Sequence, residues 1–235
     1  MKYFANSSTG EKKKQNEDRF LIKKIHPDMI LFAVADGLGG QPAGHVAAQT
    51  AMQAIENFVP DSDNLKKEVE DLILKADDSV TKLSEINPKL EYMGTTLTIA
   101  LSYQNTIFWA HVGDTRIYHL NANTLVQITT DQTMAQFLVE EQEITKEEAL
   151  DHPMQNLLDQ SLGAGDCEPE TGSFHISPGD IVLLCSDGLF SEINPHQLKK
   201  ILSSKNKIKK KVSLLIDAAN NAGGRDNITA VAIEY

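Results

Sequence analysis

Acidic residues beside glycines are the feature of this sequence most able to do chemistry. Four aspartates stand next to or near Gly at the edge of an apolar, strand-like run: Asp36, Asp114, Asp187 and Asp226. An Asp-Gly pair on its own usually marks only a turn. Because the arrangement recurs, we predict that these carboxylates lie at strand ends, where open turns commonly bind metals and phosphates.

The stretch Val34 to Gly40 is the centre of this pattern. The apolar run Met29 to Ala35 leads into Asp36, and a small-residue helical pattern from Ala43 to Phe58 leads out, with Pro42 able to start the helix. Glycines make the intervening turn sterically open: Gly37, Gly39 and Gly40. We therefore predict that Asp36 and a bare backbone face a cleft.

Two further acids, Glu17 and Asp18, complete the candidate set. If these carboxylates converge, they raise one another's pKa, and divalent cations relieve the repulsion. Oxygen ligands without Cys or His favour Mg²⁺ or Mn²⁺ over zinc, and the scattered histidines are expected to pack rather than to bind metal. Two such ions can lower the pKa of a shared water and neutralise phosphoryl oxygens, so phosphate esters are a natural target.

Two members of the set have a structural alternative. Gly113-Asp114 is also an ordinary hairpin turn, and Asp18 could form an ion pair with the neighbouring Arg19. Asn227 is expected to brace the loop that carries Asp226.

The composition narrows the class of protein. The 235 residues, 41% of them hydrophobic, are enough for one large domain, and a net charge of −11 disfavours nucleic acid as a partner. Cys167 is expected in a polar loop and Cys185 in the core, which fits a reducing cytoplasm rather than a disulfide scaffold. The chain starts without a signal-peptide pattern, and no apolar run approaches the ~20 residues that span a bilayer, so we expect no membrane partner.

Hydrophobic periodicity comes in blocks of strands and blocks of helices, which predicts an α+β fold with antiparallel sheets covered by paired helices. Residues 1 to 16 are polar and receive no element. Strands are predicted at Arg19 to Lys23, Met29 to Ala35, Thr95 to Ser102, Thr106 to Val112, Arg116 to Leu120, Thr124 to Ile128, Thr171 to Ile176, Asp180 to Ser186 and Ile228 to Tyr235. Helices are predicted at Pro42 to Phe58, Leu65 to Leu83, Thr133 to Ala149, Met154 to Ser161, Pro195 to Ser203 and Lys209 to Asn221.

Six short motifs follow one another along the chain: Gln15 to Asp18, Val34 to Gly40, Met93 to Leu97, His111 to Arg116, Leu184 to Leu189 and Gly224 to Ile228. In this order, over nearly the whole chain, they resemble the metal-dependent Ser/Thr protein phosphatases of type 2C in their compact bacterial form. The ordered set is specific, whereas any one motif would be weak.

The resemblance implies a single phosphatase domain over residues 1–235, with a mobile flap at about 131–153. The implied architecture is a four-layer α-β-β-α sandwich of two antiparallel sheets flanked by helix pairs. A centre of two Mn²⁺ or Mg²⁺ ions is implied at one end. By position, Asp36 bridges both ions, Asp187 and Asp226 hold the first, Glu17 and the Gly37 carbonyl contact the second, Asp114 and Asp187 hold a weaker third, and Asp18 orients a water.

Three positions depart from the family pattern. Lys13 stands where an Arg usually binds the substrate phosphate, so we expect weaker docking without the bidentate fork. Lys12 or Lys14 could substitute for it, and a solvated tail is the alternative. Leu38 replaces a His proposed as general acid in animal members, and Gln142 replaces a flap glycine.

The resulting prediction is a cytoplasmic, monomeric phosphatase acting on phosphoserine and phosphothreonine in proteins. A metal-bridging hydroxide would attack phosphorus directly, and the partners would be a Ser/Thr kinase and its targets. Two other classes of function are alternatives. One is a non-catalytic module that masks a phosphoprotein, and the other is a metal-dependent nuclease or phosphodiesterase, which the acidic charge disfavours.

Overall fold

Two antiparallel sheets, each of five strands, form the centre of the computed structural model, which describes residues 1–38, 43–122 and 124–235. One sheet has the order β1-β10-β9-β6-β7 and the other has the order β2-β3-β4-β5-β8. The strands are β1 Lys2–Ser8, β2 Arg19–His26, β3 Met29–Ala35, β4 Leu97–Tyr103, β5 Thr106–Val112, β6 Arg116–Asn121, β7 Thr124–Gln127, β8 Glu170–His175, β9 Ile181–Cys185 and β10 Ile228–Glu234.

Helices cover the outer face of each sheet. In the same described part of the chain the α-helices are α1 Gly44–Glu56, α2 Leu65–Ile86, α3 Met134–Glu140, α4 Lys146–Leu150, α5 Asp187–Phe190, α6 Pro195–Leu202 and α7 Ile208–Ala222. Helices α1 and α2 share a core with the β2-β3-β4-β5-β8 sheet, and α6 and α7 share a core with the other sheet. A third core lies between the sheets. The predicted α+β fold, a four-layer α-β-β-α sandwich, is confirmed.

Strand β3 shows how the sequence builds these layers. Its side chains alternate, so Leu31 and Ala33 pack under the helices while Phe32 and Val34 pack into the core between the sheets. A strand buried on both faces must be apolar throughout, as this run is. Burying a side chain such as Phe32 contributes roughly 2–3 kcal/mol. The strand therefore holds Asp36, the next residue, in a fixed place.

The polar N-terminal segment forms a strand that the sequence pattern did not predict. Lys2–Ser8 pairs along its whole length with Ile228–Glu234 at the edge of its sheet. An edge strand needs only backbone pairing on one side and tolerates polar side chains. Hydrophobic alternation was therefore a poor guide to β1.

The predicted single helix from Thr133 to Ala149 is wrong, because the segment contains two short helices, α3 and α4. Gln142 lies between them with a φ of 61°, in the left-handed region that favours glycine. Thr145 then caps α4, accepting from the backbone N–H of Glu148 while the Glu148 side chain accepts from the Thr145 backbone.

The helix predicted from Met154 to Ser161 is also wrong. This segment consists of turns that are hydrogen-bonded to Gln132 and Met134. The backbone N–H of Met134 donates to Leu157 O at 2.8 Å, and the N–H of Asp159 donates to Gln132 O at 2.9 Å. The backbone groups are thus satisfied by neighbouring loops instead of by a helix.

Some sequence predictions receive no test here. The turn glycines Gly39 and Gly40 and the helix start at Pro42 lie outside the described residues. Both cysteines are free and buried, so Cys185 is in the core as predicted, and Cys167 lies in a loop as predicted although its side chain is buried. Within the described ranges, no helix combines the length and the apolar character needed to cross a bilayer.

Candidate metal centre

The candidate acids lie at one end of the sandwich because of strand register. Asp18 precedes β2 and Asp36 follows β3, and these strand ends pair through Arg19 and Ala35. The start of β6 and the start of β10 both pair with the end of β9 near Cys185. The loops that carry the other acids leave from these same strand ends: Asp114, Asp187 and Asp226. Residues far apart in sequence are thus brought to one place.

The candidate acids at this end of the sandwich raise the pKa values of several of their own carboxyl groups. Burial and the negative charges of Asp18, Asp187 and Asp114 hold the pKa of Asp36 well above its usual range. Burial, then the charges of Asp187 and Asp131, raise the pKa of Asp114 to about 8. Asp36, Asp114 and Asp187 remain half-buried, so solvent reaches the cluster from one side while protein surrounds most of each carboxyl group.

Asp187 follows the same rule as its neighbours. Burial raises the pKa of its carboxyl, and the negative charge of Asp226 raises it further. Its Oδ1 is buried and has no hydrogen-bond partner among the described residues. A buried carboxylate oxygen without a hydrogen-bond partner destabilises the fold and is rare in native proteins. The state of this atom therefore indicates that it binds a ligand.

Asp18 is buried, and only one of its oxygens is satisfied. Its Oδ2 accepts a hydrogen bond from the Ser186 hydroxyl at 2.7 Å, while no described residue donates to Oδ1. Burial raises the pKa of Asp18 to about 6 even though hydroxyl hydrogen bonds oppose the shift. Arg19 bonds the backbone carbonyls of Asn16 and Asp18 rather than the Asp18 carboxylate. The ion-pair alternative for Asp18 is therefore wrong.

The backbone around Asp36 is held from both sides. Its N–H donates to Thr96 Oγ1 at 3.0 Å, and its carbonyl accepts from the Thr95 hydroxyl at 2.8 Å and the Thr96 N–H at 2.9 Å. Gly37 passes so close to Gly44 that a Cβ would overlap the Gly44 carbonyl. Sequence reasoning quoted Thr95 and Thr96 only as part of a motif and missed this anchoring role.

Asn227 links the loop of Asp226 to the loop of Glu17. Its side-chain oxygen accepts from the Glu17 N–H at 2.8 Å, and its amide donates to the carbonyls of Thr9 and Gln15. Its backbone N–H donates to Asp226 Oδ1 at 2.7 Å. The predicted bracing role of Asn227 is thus confirmed by these contacts.

Lys13 reaches the cluster from the same loop. Its Nζ lies 2.8 Å from Asp226 Oδ1, and its side chain is 34% exposed. Lys12 and Lys14 are exposed. Of the three consecutive lysines, the middle one faces the acids, so the solvated-tail alternative does not describe Lys13.

The surroundings of Asp114 involve the base of the flap segment. Arg116 directs a fork onto Asp131, with Nε 2.8 Å from Oδ1 and Nη2 2.5 Å from Oδ2. The N–H of Gln132 donates to the Gly113 carbonyl at 2.7 Å, and its side-chain oxygen accepts from the Gly113 N–H at 2.8 Å. Residues 131 and 132 thus hold the residues on both sides of Asp114.

His111 has the packing role expected of the histidines. It is fully buried, and its ring nitrogens contact Thr98 Oγ1 at 2.8 Å and the Thr130 carbonyl at 3.2 Å. Burial lowers the pKa of His111 to about 4, so the ring is neutral at pH 7.

An acidic groove adjoins this end of the sandwich, between α3 and the segment that precedes β8. Its volume is about 490 Å³. It is lined by Thr130, Gln132, Thr133, Gln136, Phe137, Glu140, Asp159, Gln160, Glu168 and Glu170. Because Gln132 also binds Gly113, the groove begins next to the Asp114 turn.

The chemistry of the donor set fits hard divalent cations. Among residues 1–38, 43–122 and 124–235, no three His, Cys, Asp or Glu side chains surround one point closely enough to hold an ion as placed. Burial and neighbouring negative charges nevertheless raise the pKa values of four of the acids: Asp18, Asp36, Asp114 and Asp187. Two of these four carry buried oxygens without partners in that part of the chain. Oxygen donors with such repulsion favour Mg²⁺ or Mn²⁺.

Comparison with known proteins points the same way. Residues 7–230 match the sequence profile of the family Protein phosphatase 2C. The serine/threonine phosphatase stp of Listeria monocytogenes serotype 4b is 34% identical over 232 residues, covering 96% of this chain and 92% of that protein.

Solved structures have the same fold. The Mycobacterium tuberculosis serine/threonine phosphatase PstP/Ppp has a TM-score of 0.89 at 34% identity, covering 100% of this chain and 99% of the crystallised one. Full-length PstP is longer, and this chain spans 45% of it. The catalytic domain of PstP in complex with 2 manganese ions has a TM-score of 0.86 at 33% identity, covering 99% of this chain and 97% of that chain. The chain therefore belongs to the protein phosphatase 2C family.

Proposed function

We propose that this chain is a metal-dependent phosphatase that removes phosphate from phosphoserine and phosphothreonine in proteins. Residues 1–235 would form one phosphatase domain with a flap at about 131–153. The observation that carries the proposal is the group of buried and half-buried carboxylates at one end of the sandwich, two of them with buried oxygens that no described residue binds. The chain belongs to a family of phosphatases, and the catalytic domain of one relative was solved with two manganese ions. Both findings support metal-dependent phosphatase chemistry at this group of acids.

Each acid has a proposed place at the metal centre. Asp36 would lie between two ions, Asp187 and Asp226 would hold the first, Glu17 and the Gly37 carbonyl would contact the second, and Asp114 with Asp187 would hold a weaker third. Bound Mn²⁺ or Mg²⁺ would neutralise the phosphoryl oxygens and lower the pKa of a water so that hydroxide attacks phosphorus directly.

The protein's own side chains would position the reactants. Ser186 holds one oxygen of Asp18, so the spare Oδ1 can accept a hydrogen bond from a water and orient it toward the acids. Lys13 would supply positive charge to the substrate phosphate. Leu38 cannot donate a proton, so the leaving oxygen would take its proton from water.

The substrate would be a folded or extended phosphoprotein. The groove beside the Asp114 turn gives room for polypeptide next to the phosphorylated residue. A Ser/Thr kinase and its targets are the proposed partners, the protein is proposed to act as a monomer, and the cytoplasm is the proposed compartment.

Hydrolysis of a phosphothreonine peptide in Mn²⁺ tests the proposal. The wild type should release phosphate, EDTA should abolish release, and Asp187→Asn should reduce it by about a thousandfold. Asp71→Asn, which removes an exposed acid on α2, is the matched control and should behave as wild type. Tight phosphopeptide binding without turnover in saturating Mn²⁺ would instead indicate a masking module, and nicking of plasmid DNA would indicate a nuclease.

A further inference from the structure

Lys13 brings a positive charge to the acids that are proposed to hold metal. Its Nζ lies 2.8 Å from Asp226 Oδ1. Partial burial opposes the charged form, but the contact with Asp226 and the charges of Asp36 and Asp187 prevail and raise the pKa of Lys13. The ammonium therefore lies in the field of three proposed metal ligands.

The backbone next to Lys13 is held against the loop that carries Asp226. The N–H groups of Glu11 and Lys12 donate to the Gly224 carbonyl at 2.7 and 3.2 Å. Gly10 has a φ of 77° and passes so close that a Cβ would overlap the Asp226 carbonyl. Rotation of the long Lys13 side chain is therefore the simplest way to change the distance between its ammonium and the acids.

Asp226 is already well supplied with donors on one oxygen. Its Oδ1 accepts from the Asn227 N–H at 2.7 Å and contacts the Lys13 ammonium. A divalent ion at this carboxylate would lie within a few Å of the ammonium. Repulsion between the two cations at that distance corresponds to about tenfold in metal affinity, even with the screening of water.

We propose that Lys13 is shared between Asp226 and the substrate phosphate, so that its ammonium weakens metal binding at Asp226 and strengthens phosphate binding. The inference rests on the proposed function for the phosphate half of this exchange. A phosphate that draws the ammonium away from Asp226 also relieves the repulsion of the ion. Metal and phosphate therefore bind cooperatively through one side chain.

Calorimetric titration of the metal-depleted protein with Mn²⁺ tests the metal half. Lys13→Met should bind Mn²⁺ about tenfold more tightly than wild type. Lys12→Met and Lys14→Met remove the same charge from exposed neighbours and should stay within about twofold of wild type. Lys13→Arg keeps the charge and should show no tightening.

Titration of the Mn²⁺-loaded protein with inorganic phosphate tests the other half. Lys13→Met should weaken phosphate binding about tenfold, while Lys12→Met and Lys14→Met should not. Unchanged or weaker Mn²⁺ binding in Lys13→Met overturns the proposal, and so does unchanged phosphate binding or an equal Mn²⁺ effect in Lys12→Met. Thermal melting of each variant confirms folding, and Lys13→Gln provides a second neutral side chain.

These titrations involve no turnover, which separates this inference from the proposed function. A protein inert toward every phosphopeptide would refute the function, yet the predicted pair of shifts in Lys13→Met would still stand. Conversely, an active phosphatase whose Mn²⁺ affinity does not respond to Lys13→Met would refute only this inference.

Discussion

The two ends of strand β9 carry aspartates whose buried oxygen atoms differ in their hydrogen bonding. Asp180 precedes the strand and is 4% exposed. Its Oδ2 accepts from His119 Nε2 at 2.9 Å, from the Ser177 N–H at 3.0 Å and from Asn121 Nδ2 at 3.4 Å. At the other end, Asp187 has a buried Oδ1 without a partner in the described residues, and the adjacent Asp18 is in the same condition.

This contrast distinguishes an acid that stabilises the fold, Asp180, from acids that are available to bind a ligand, Asp187 and Asp18. A buried carboxylate surrounded by donors stabilises the contacts around it, and losing it leaves those donors unpaired. Carboxylates that repel one another cost stability unless a cation binds. Both acids are aspartates that adjoin the same strand, and Asp180 is the more deeply buried of the two, so burial alone does not separate them and the state of the oxygen atoms makes the difference.

The largest effect should come from the Asp187 end. Asp187→Asn should lower kcat/KM for a phosphothreonine peptide by about a thousandfold, because it removes a charge from the proposed metal ligands. In EDTA the same variant should be at least as stable as wild type, since it relieves repulsion from Asp226. Steady-state kinetics and urea unfolding measure the two quantities. An activity within tenfold of wild type would contradict the comparison.

Removing the acid at the opposite end should do the reverse. Asp180→Ala leaves His119 and the Ser177 N–H without their acceptor, and the free energy of unfolding should fall by about 3 kcal/mol. The folded fraction should keep the kcat and the Mn²⁺ affinity of wild type. Urea unfolding and titration of the folded protein check this. If Asp180→Ala lost activity while the free energy of unfolding stayed unchanged, the assignment of Asp180 to a purely structural role would be contradicted.

The pH dependence of stability should also come from the Asp187 end. Burial raises the pKa of Asp18 to about 6 and that of Asp114 to about 8. The folded protein therefore binds a proton on each of these two carboxyl groups more tightly than the unfolded chain does, because aspartates in the unfolded chain have a pKa near 4. In EDTA the free energy of unfolding should therefore fall as the pH rises from about 4 to 8.

Saturating Mn²⁺ should restore most of that stability, because the ion binds the ionised carboxylates. Asp114→Asn should flatten the part of the curve between about pH 6 and 8. Urea unfolding at a series of pH values measures these slopes. If Asp114→Asn has the same slope as wild type between about pH 6 and 8, Asp114 is not the group responsible for this pH dependence.

The smallest effect concerns the ion pair that joins the flap base to the acid end. Arg116→Lys keeps the charge but loses the fork on Asp131 and the stacking on Phe190, whose ring centroid lies 3.4 Å from the guanidinium carbon. The free energy of unfolding should fall by about 1 kcal/mol. Arg225→Lys, at a pair whose Arg is 72% exposed, is the control and should change it by a few tenths. Equal effects at the two pairs would contradict this reading.

Much of the frame could be predicted from local pattern. The runs Met29–Ala35 and Thr106–Val112 were assigned as strands with the bounds that the structure has, because both are apolar runs ended by turns. The order of acidic motifs then indicated a shared site, and strand register does bring Asp36 and Asp187 to one end. The fold followed from the same block pattern.

Other features depend on contacts that no local pattern encodes. Lys2–Ser8 is a strand only because β10 offers its edge, and the segment after Pro153 has apolar spacing like a helix but is tied to Gln132 and Met134. The partner of Asp180 lies 61 residues away at His119, so the sequence could not distinguish a satisfied acid from an unsatisfied one. The sequence likewise could not show which of the three consecutive lysines faces the acids, because the partner of Lys13, Asp226, is far away along the chain.

Anomalous diffraction from a crystal soaked in Mn²⁺ tests the central claim most directly. We expect peaks beside Asp36, Asp187 and Asp226, and none beside Asp180 or His119. The absence of a peak at Asp36, or a peak confined to the Asp180 end of β9, would contradict the assignment of the unsatisfied acids to metal binding.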